Sequence, residues 1–217
     1  MGYYPVMLDV RGKRCVVIGG GAVAERKVRG LLAAGADELL VVSPHITQGL
    51  GQLHEAGSIR HESREYLDKD LIGASLVIAA TNAREANEAV ALAGRAAGAW
   101  VNVADEAGQG DFVTPAVVRR GELLVAVTTG GASPAFTVRM KRELEALYGE
   151  DYGQRLILLR QLRERVLNQE TDEARRQAIL RLAAEEMAGG IPAELFGNDA
   201  IDGWMARLEL MVDGRHT

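Results

Sequence analysis

An apolar strand, a glycine turn and a helix follow one another near the start of the chain, and no other feature restricts the fold as much. Cys15-Val16-Val17-Ile18 runs straight into Gly19-Gly20-Gly21-Ala22-Val23-Ala24, after which Val28, Leu31 and Leu32 recur at helical spacing. The turn fits G-x-G-x-x-G/A. In that pattern Gly19 permits the tight turn, Gly21 lets the backbone approach a pyrophosphate, and Ala24 allows close helix–sheet packing. Free amides and the helix dipole then favour an anion at the helix start. A bound dinucleotide is the expectation, with a ligand-free glycine turn as the alternative.

The pattern that follows sets the fold class. A helix over 23–34 stops at Gly35, and Glu38–Val42 supplies a second apolar strand, completing one βαβ unit. A helix over 50–56, strands over 58–62 and 76–80, a helix over 84–97 closed by Gly98, and a strand over 100–103 continue the alternation. This predicts an α/β fold with a Rossmann-type, doubly wound parallel sheet that binds ligands at the carboxyl ends of its strands.

After Asp105 the alternation breaks. Two β-rich runs, 112–119 and 123–128, flank Arg120-Gly121-Glu122 and read as a hairpin. Ser133-Pro134 supplies an N-cap and a first-turn proline for a helix to about Tyr148. Beyond Gly149 only helices are expected, over about 154–168, 171–187 and 198–212, which makes an all-helical C-terminal unit. Ile201, Trp204, Met205, Leu208, Met211 and Val212 form one stripe of the last helix, expected to pack within the chain.

Composition narrows the function classes. The 217 residues are 47% hydrophobic and 25% charged, with no apolar run near the ~20 residues of a membrane-spanning helix. The opening MGYYPVMLDVRGKRC lacks the basic, apolar and small-residue succession of a signal peptide, so a cytoplasmic location is expected. A net charge of -5 argues against a general nucleic-acid surface. Cys15, the only cysteine, reads as a packed core thiol. His45, His54, His61 and His216 lack ligand spacing, so no metal site is expected.

Candidate site residues cluster at strand ends. Val42-Ser43-Pro44 ends the second strand where many NAD enzymes carry an acid; Ser43 can hydrogen-bond a ribose, although Ser-Pro also ends strands as a plain turn. No arginine follows to favour a 2′-phosphate, so NAD is preferred over NADP. Thr81 and Asn82 end the fourth strand, as cofactor contacts or as turn formers. Asp105 stands just past the fifth, as a general base or a solvated loop carboxylate. Thr129-Gly130-Gly131-Ala132-Ser133 precedes a helix N-terminus, either a second anion site or a capped junction. Arg119, Arg120 and Arg139, with Lys141 and Arg142, could meet an acidic substrate.

The runs GGGAVAERKVRGLLAAGA, VVSP, AATN and VNVADEAGQGDFVTPAVVRRGELLVAVTTGGASP, taken in order over about residues 1–148, resemble the precorrin-2 dehydrogenase family of siroheme synthesis. The resemblance implies oxidation of precorrin-2 to sirohydrochlorin with NAD⁺ as hydride acceptor. It implies Asp105 as the catalytic aspartate, with Ala22, Val23, Ser43 and Pro44 as NAD contacts. It also implies a homodimer, and a division into an NAD-binding domain (1–111), a dimerisation region (112–149) and a helical domain (150–217). Thr129 stands where some fused relatives carry a serine, so regulation through that serine is not expected. Uroporphyrinogen methylation, the work of a further unit in those relatives, is expected of another protein. Two rival readings stand beside this one: a bifunctional enzyme that also inserts Fe²⁺ into sirohydrochlorin, and a non-catalytic NAD-sensing module.

Overall fold

Successive residues of the first strand enter two different apolar layers. In the computed structural model, which describes residues 2–104, 108–196 and 200–214, β1 (Arg14–Ile18) lies at the centre of a five-stranded parallel sheet. The order is β3 (Arg60–Glu62), β2 (Glu38–Val42), β1, β4 (Leu76–Ala79), β5 (Trp100–Val103). Side-chain alternation sends Cys15 and Val17 into one layer with Ala24 and Val28 of α1 (Ala22–Ala33) and Leu50 of α2 (Gln48–Glu55). Val16 and Ile18 enter the other with Val90 and Ala91 of α3 (Arg84–Ala96). Burial on both faces is why β1 and β4 read as unbroken apolar runs. Within its layer Cys15 is fully buried, and burial pushes its thiol up to about 11, which makes it inert.

Strand order reverses between β1 and β4, because the chain leaves the β3 edge through a 3₁₀ turn at Asp68–Leu71 and crosses to the far side of β1. That reversal is the topological switch point at which open α/β sheets hold ligands.

Expectation and structure differ at 112–115, read from sequence as strand. Its first residue, with Asp111 before it, instead lies beside the open edge of β5. Asp111 donates its N–H to Val101 O (2.7 Å) and accepts the Val101 N–H on its carboxylate (2.9 Å), while the Asn102 amide donates to Phe112 O (2.9 Å). Pro115 has no N–H for a ladder, and β6 begins only at Ala116.

A second compact unit begins at Pro115. β6 (Ala116–Arg120) and β7 (Leu123–Val127) form an antiparallel hairpin joined by Gly121-Glu122, followed by α4 (Pro134–Leu147). α5 (Asp151–Gln169), α6 (Glu173–Gly189) and α7 (Ala200–Asp213) share one core of Leu158, Leu162 and Val166 with Ile179, Leu182, Trp204 and Leu208. The apolar stripe of α7 packs into it as expected, although Met211 stays 40% exposed. No described helix is long and apolar enough to cross a membrane.

A half-buried polar cluster ties α6 to α7. The Glu186 carboxylate accepts from Trp204 Nε1 (2.8 Å) and from both terminal nitrogens of Arg207 (2.5 and 2.9 Å). The Arg207 guanidinium, and then the indole, hold the Glu186 carboxyl below the usual glutamate value of 4.5. A lowered carboxylate pKa gives stability that is present above the unfolded value and is lost as pH falls through the folded one. Glu186→Gln is therefore expected to unfold more readily than wild type at neutral pH. The difference should shrink on acidification below pH 4.5, read by far-UV circular dichroism in denaturant titrations at stepped pH.

Candidate functional site

At the switch point the glycine turn is held by its neighbours on both sides. Gly19 adopts φ +121°, donates to Val42 O (2.9 Å), and passes so close to β4 that a Cβ would lie 2.3 Å from Ala80 O. Gly20 is equally confined, since a Cβ there would lie 2.0 Å from His45 O and 2.8 Å from Ser43 Oγ. Gly21 differs from both: it is exposed, and nothing stands within 4 Å of the place its Cβ would take.

The open space lies at the start of α1, whose N-cap is Gly21 with no side-chain cap. The first intrahelical bond is Glu25 N–H to Gly21 O (2.9 Å), so the amides of Ala22, Val23 and Ala24 precede the ladder. Ala22 is exposed, Val23 half-buried and Ala24 fully buried against the sheet. Three free amides at a positive helix end, facing room that a side chain would fill, fit a pyrophosphate.

The second strand end is a tight turn. Ser43 is half-buried, its hydroxyl donates to His45 O (2.8 Å), and its carbonyl meets His61 Nε2 (3.0 Å); Pro44 O accepts from Ser63 Oγ (3.1 Å). The Ser43 hydroxyl oxygen keeps lone pairs with which to accept from a ribose. At the end of β4, Thr81 is locked to Asn87 on α3: Thr81 N–H and Oγ1 donate to Asn87 Oδ1 (3.0 and 2.8 Å), and Asn87 Nδ2 donates back to Thr81 O (3.1 Å). Asn82 is exposed. Ala104 follows β5 beside this end, its N–H on Ala79 O (2.8 Å), and the next residue, Asp105, lies outside the described residues.

The turn, Ser43-Pro44 and Thr81-Asn82 are thus gathered at one sheet edge. In the other unit, Thr129 Oγ1 accepts from Ser133 N–H (3.2 Å) and meets Thr137 Oγ1 (2.9 Å), while Ser133 Oγ caps α4 through Phe136 N–H (3.2 Å). Gly130 and Gly131 carry positive φ between them. Arg120 is engaged at the far end of α4, donating to Tyr148 O (2.9 Å) and Glu145 O (3.2 Å), a helix C-cap by a cation. Arg119 is exposed, and Arg139 is exposed in an ion pair with Glu143 (2.9 Å). No group of three or more possible metal ligands occurs among the described residues.

Sequence reasoning missed Asn87, Thr47, Asn102 and Lys27. Thr47 stood in a readable N-cap position, accepting from Leu50 N–H (3.2 Å). Asn87 is a buried amide six positions from its partner, and Lys27 reaches across 75 residues to Asn102 Oδ1 (3.0 Å); no local spacing announces either contact.

A family model described as "Putative NAD(P)-binding" matches residues 6–116, half of the chain. The chain belongs to this family. Its NAD(P)-binding unit is continued by a match to a model described as "Sirohaem biosynthesis protein central" over residues 120–147. Among curated relatives, the siroheme synthase of Nitrosomonas eutropha is 38% identical over 196 residues, 90% of this chain and 40% of that protein. The siroheme synthase of Chromobacterium violaceum is 41% identical over 153 residues, 70% of this chain and 32% of that protein. The chain thus spans well under half the length of these relatives. A solved structure titled SirC, precorrin-2 dehydrogenase, superposes with a TM-score of 0.73 at 27% identity, covering 95% of this chain and 99% of that one. The resemblance read from the sequence is borne out.

Proposed function

We propose that the protein is an NAD-dependent precorrin-2 dehydrogenase, which oxidises precorrin-2 to sirohydrochlorin for siroheme synthesis. The observation that carries this is the open pyrophosphate cradle at Gly21 in a chain that matches a precorrin-2 dehydrogenase along nearly its whole length. Gly19, Gly20 and Gly21 with the amides of Ala22, Val23 and Ala24 hold the pyrophosphate; Ser43 and Pro44 receive the adenosine ribose, and Thr81 and Asn82 border the nicotinamide side. With no arginine directly after Ser43 in the sequence to bind a 2′-phosphate, NAD is preferred over NADP.

Bound nicotinamide supplies a hydride acceptor, and the protein supplies position and proton transfer. Asp105 takes the proton that leaves the macrocycle as its hydride departs, so that precorrin-2 and NAD⁺ give sirohydrochlorin, NADH and a proton. Arg119 and Arg139 are assigned to the eight carboxylates of the tetrapyrrole, with Thr129, Gly130, Gly131 and Ser133 as further substrate contacts; Arg120, spent on the C-terminal end of α4, is left out of that set. By its resemblance to the family we assign the enzyme to the cytoplasm, with NAD-binding (1–111), dimerisation (112–149) and helical (150–217) parts. Mixing protein, fresh precorrin-2 and NAD⁺ anaerobically should raise NADH absorbance together with the sirohydrochlorin spectrum. A tetrapyrrole spectrum that stays that of precorrin-2 would overturn the proposal.

The working form is a homodimer. α4 has fourteen residues and none is buried, with Phe136 and Leu147 exposed on the same stripe as Met140 and Leu144. The two-stranded hairpin beside it buries only Val118. Such an assembly is marginal alone and gains stability when a second copy covers it. Phe136→Asp is expected to convert the dimer to monomer, as measured by sedimentation equilibrium.

A further inference from the structure

Two segments that the proposed NAD site needs at a fixed separation, the glycine turn and the loop after β2, touch at three points. Gly20 lies under His45 O, where a Cβ would have no room. Thr47 N–H donates to Gly20 O (2.9 Å). The third contact comes from a side chain: Glu25, in the first turn of α1, accepts the Thr47 hydroxyl proton on Oε2 (2.6 Å). Its other oxygen accepts from Arg29 Nε (2.8 Å). Thr47 Oγ1 at the same time caps α2 through Leu50 N–H (3.2 Å), so its only proton is directed at Glu25.

The carboxylate fits because position 49 is glycine. A Cβ on Gly49 would sit 2.1 Å from Glu25 Oε1 and 2.5 Å from Cδ, inside the carboxylate itself. The glycine sits in the first turn of α2, where its φ is not in the left-handed region and a larger residue would be conformationally free to stand. Nothing in the backbone demands a glycine there; the Glu25 side chain does. The Thr47 hydroxyl, then Arg29, hold the Glu25 carboxyl below its usual range, consistent with an ion held in place.

We propose that Glu25 is a positioning residue for the dinucleotide: through Thr47 it clamps the loop carrying Ser43 and Pro44 to the helix that carries the pyrophosphate turn. The clamp fixes the distance between pyrophosphate and ribose subsites before ligand arrives. The proposal rests on the NAD-binding reading above.

Gly49→Ala removes the contact by sterics while improving the helix propensity of α2, and Glu25→Ala removes it by deletion. Each is expected to weaken NAD⁺ binding by about tenfold in titration calorimetry, the cost of lost preorganisation. The double variant should bind no more weakly than either single one, because both remove the same contact. Glu25→Gln, whose amide oxygen still accepts from Thr47, should restore most of the affinity. In turnover, KM for NAD⁺ should rise while kcat at saturating NAD⁺ and KM for precorrin-2 hold, and the melting temperature of Gly49→Ala should not fall. Wild-type NAD⁺ affinity in both single variants would overturn the clamp and leave the NAD reading standing. Parallel loss of melting temperature, kcat and affinity would overturn it in favour of a purely structural contact. A wild-type protein that binds no NAD⁺ would remove the NAD reading and the clamp with it.

Discussion

Gly21→Asp is expected to bind NAD⁺ at least about a hundredfold more weakly than wild type while unfolding at no lower temperature. The two halves of that result have separate causes. Gly21 is the N-cap of α1, with φ -81° and ψ -175°, an extended backbone that any residue adopts, and no neighbour within 4 Å of its Cβ direction. Aspartate is among the best N-cap residues, so its carboxylate takes up amides that now lack a partner and stabilises the helix by about 0.5–2 kcal/mol. The same carboxylate occupies the room assigned to the pyrophosphate and repels it. Titration calorimetry and thermal melts on the same sample check both halves. A Gly21→Asp protein that binds NAD⁺ normally would mean that the cradle holds something else. The contrast with Gly20 is instructive, because there a Cβ 2.0 Å from His45 O disturbs the fold itself and would say nothing about binding.

Asp105→Asn is the second large effect. Asparagine preserves shape and can still hydrogen-bond, but it cannot accept a proton at neutral pH. If Asp105 is the general base, kcat for precorrin-2 oxidation should fall by about 10²–10⁴, the range a positioned acid–base group contributes. Affinity for NAD⁺ should stay at the wild-type level, since the assigned cofactor contacts lie on the other strands. On that reading the acid limb of the kcat profile should disappear together with the rate, because asparagine has no carboxylate to protonate. Stopped-flow measurement of NADH formation across pH gives both readouts. A variant with the wild-type rate would remove Asp105 from the chemistry.

Most of the fold was legible because its signals are local. The two-sided burial of β1, the glycine turn and the capped start of α4 are each written within a few residues, and β2 begins and ends where the apolar run does. The unread parts depend on partners distant in the chain. The stretch 112–115 has strand composition, but β5 claims its start through Asp111 and Asn102, ten residues back in sequence. The carboxyl edge of the sheet was legible as a set of strand ends, whereas the groups that fix those ends were not. Asn87 and Glu25 look like ordinary polar positions on helices until Thr81 and Thr47 are brought against them. Arg120 shows the reverse case, a basic residue that composition offers to an acidic ligand and that the fold turns toward the end of α4.

The edge of β5 carries a consequence of another kind. An exposed strand edge is adhesive, a template on which a second chain can add its own strand and start an aggregate. Here one side chain and a few backbone groups of the following loop occupy that margin, with Arg95 holding Asp111 at 2.8 Å. The sheet therefore stops at five strands without a sixth to finish it. A loop carboxylate with no part in the proposed chemistry thus shields this margin from another chain.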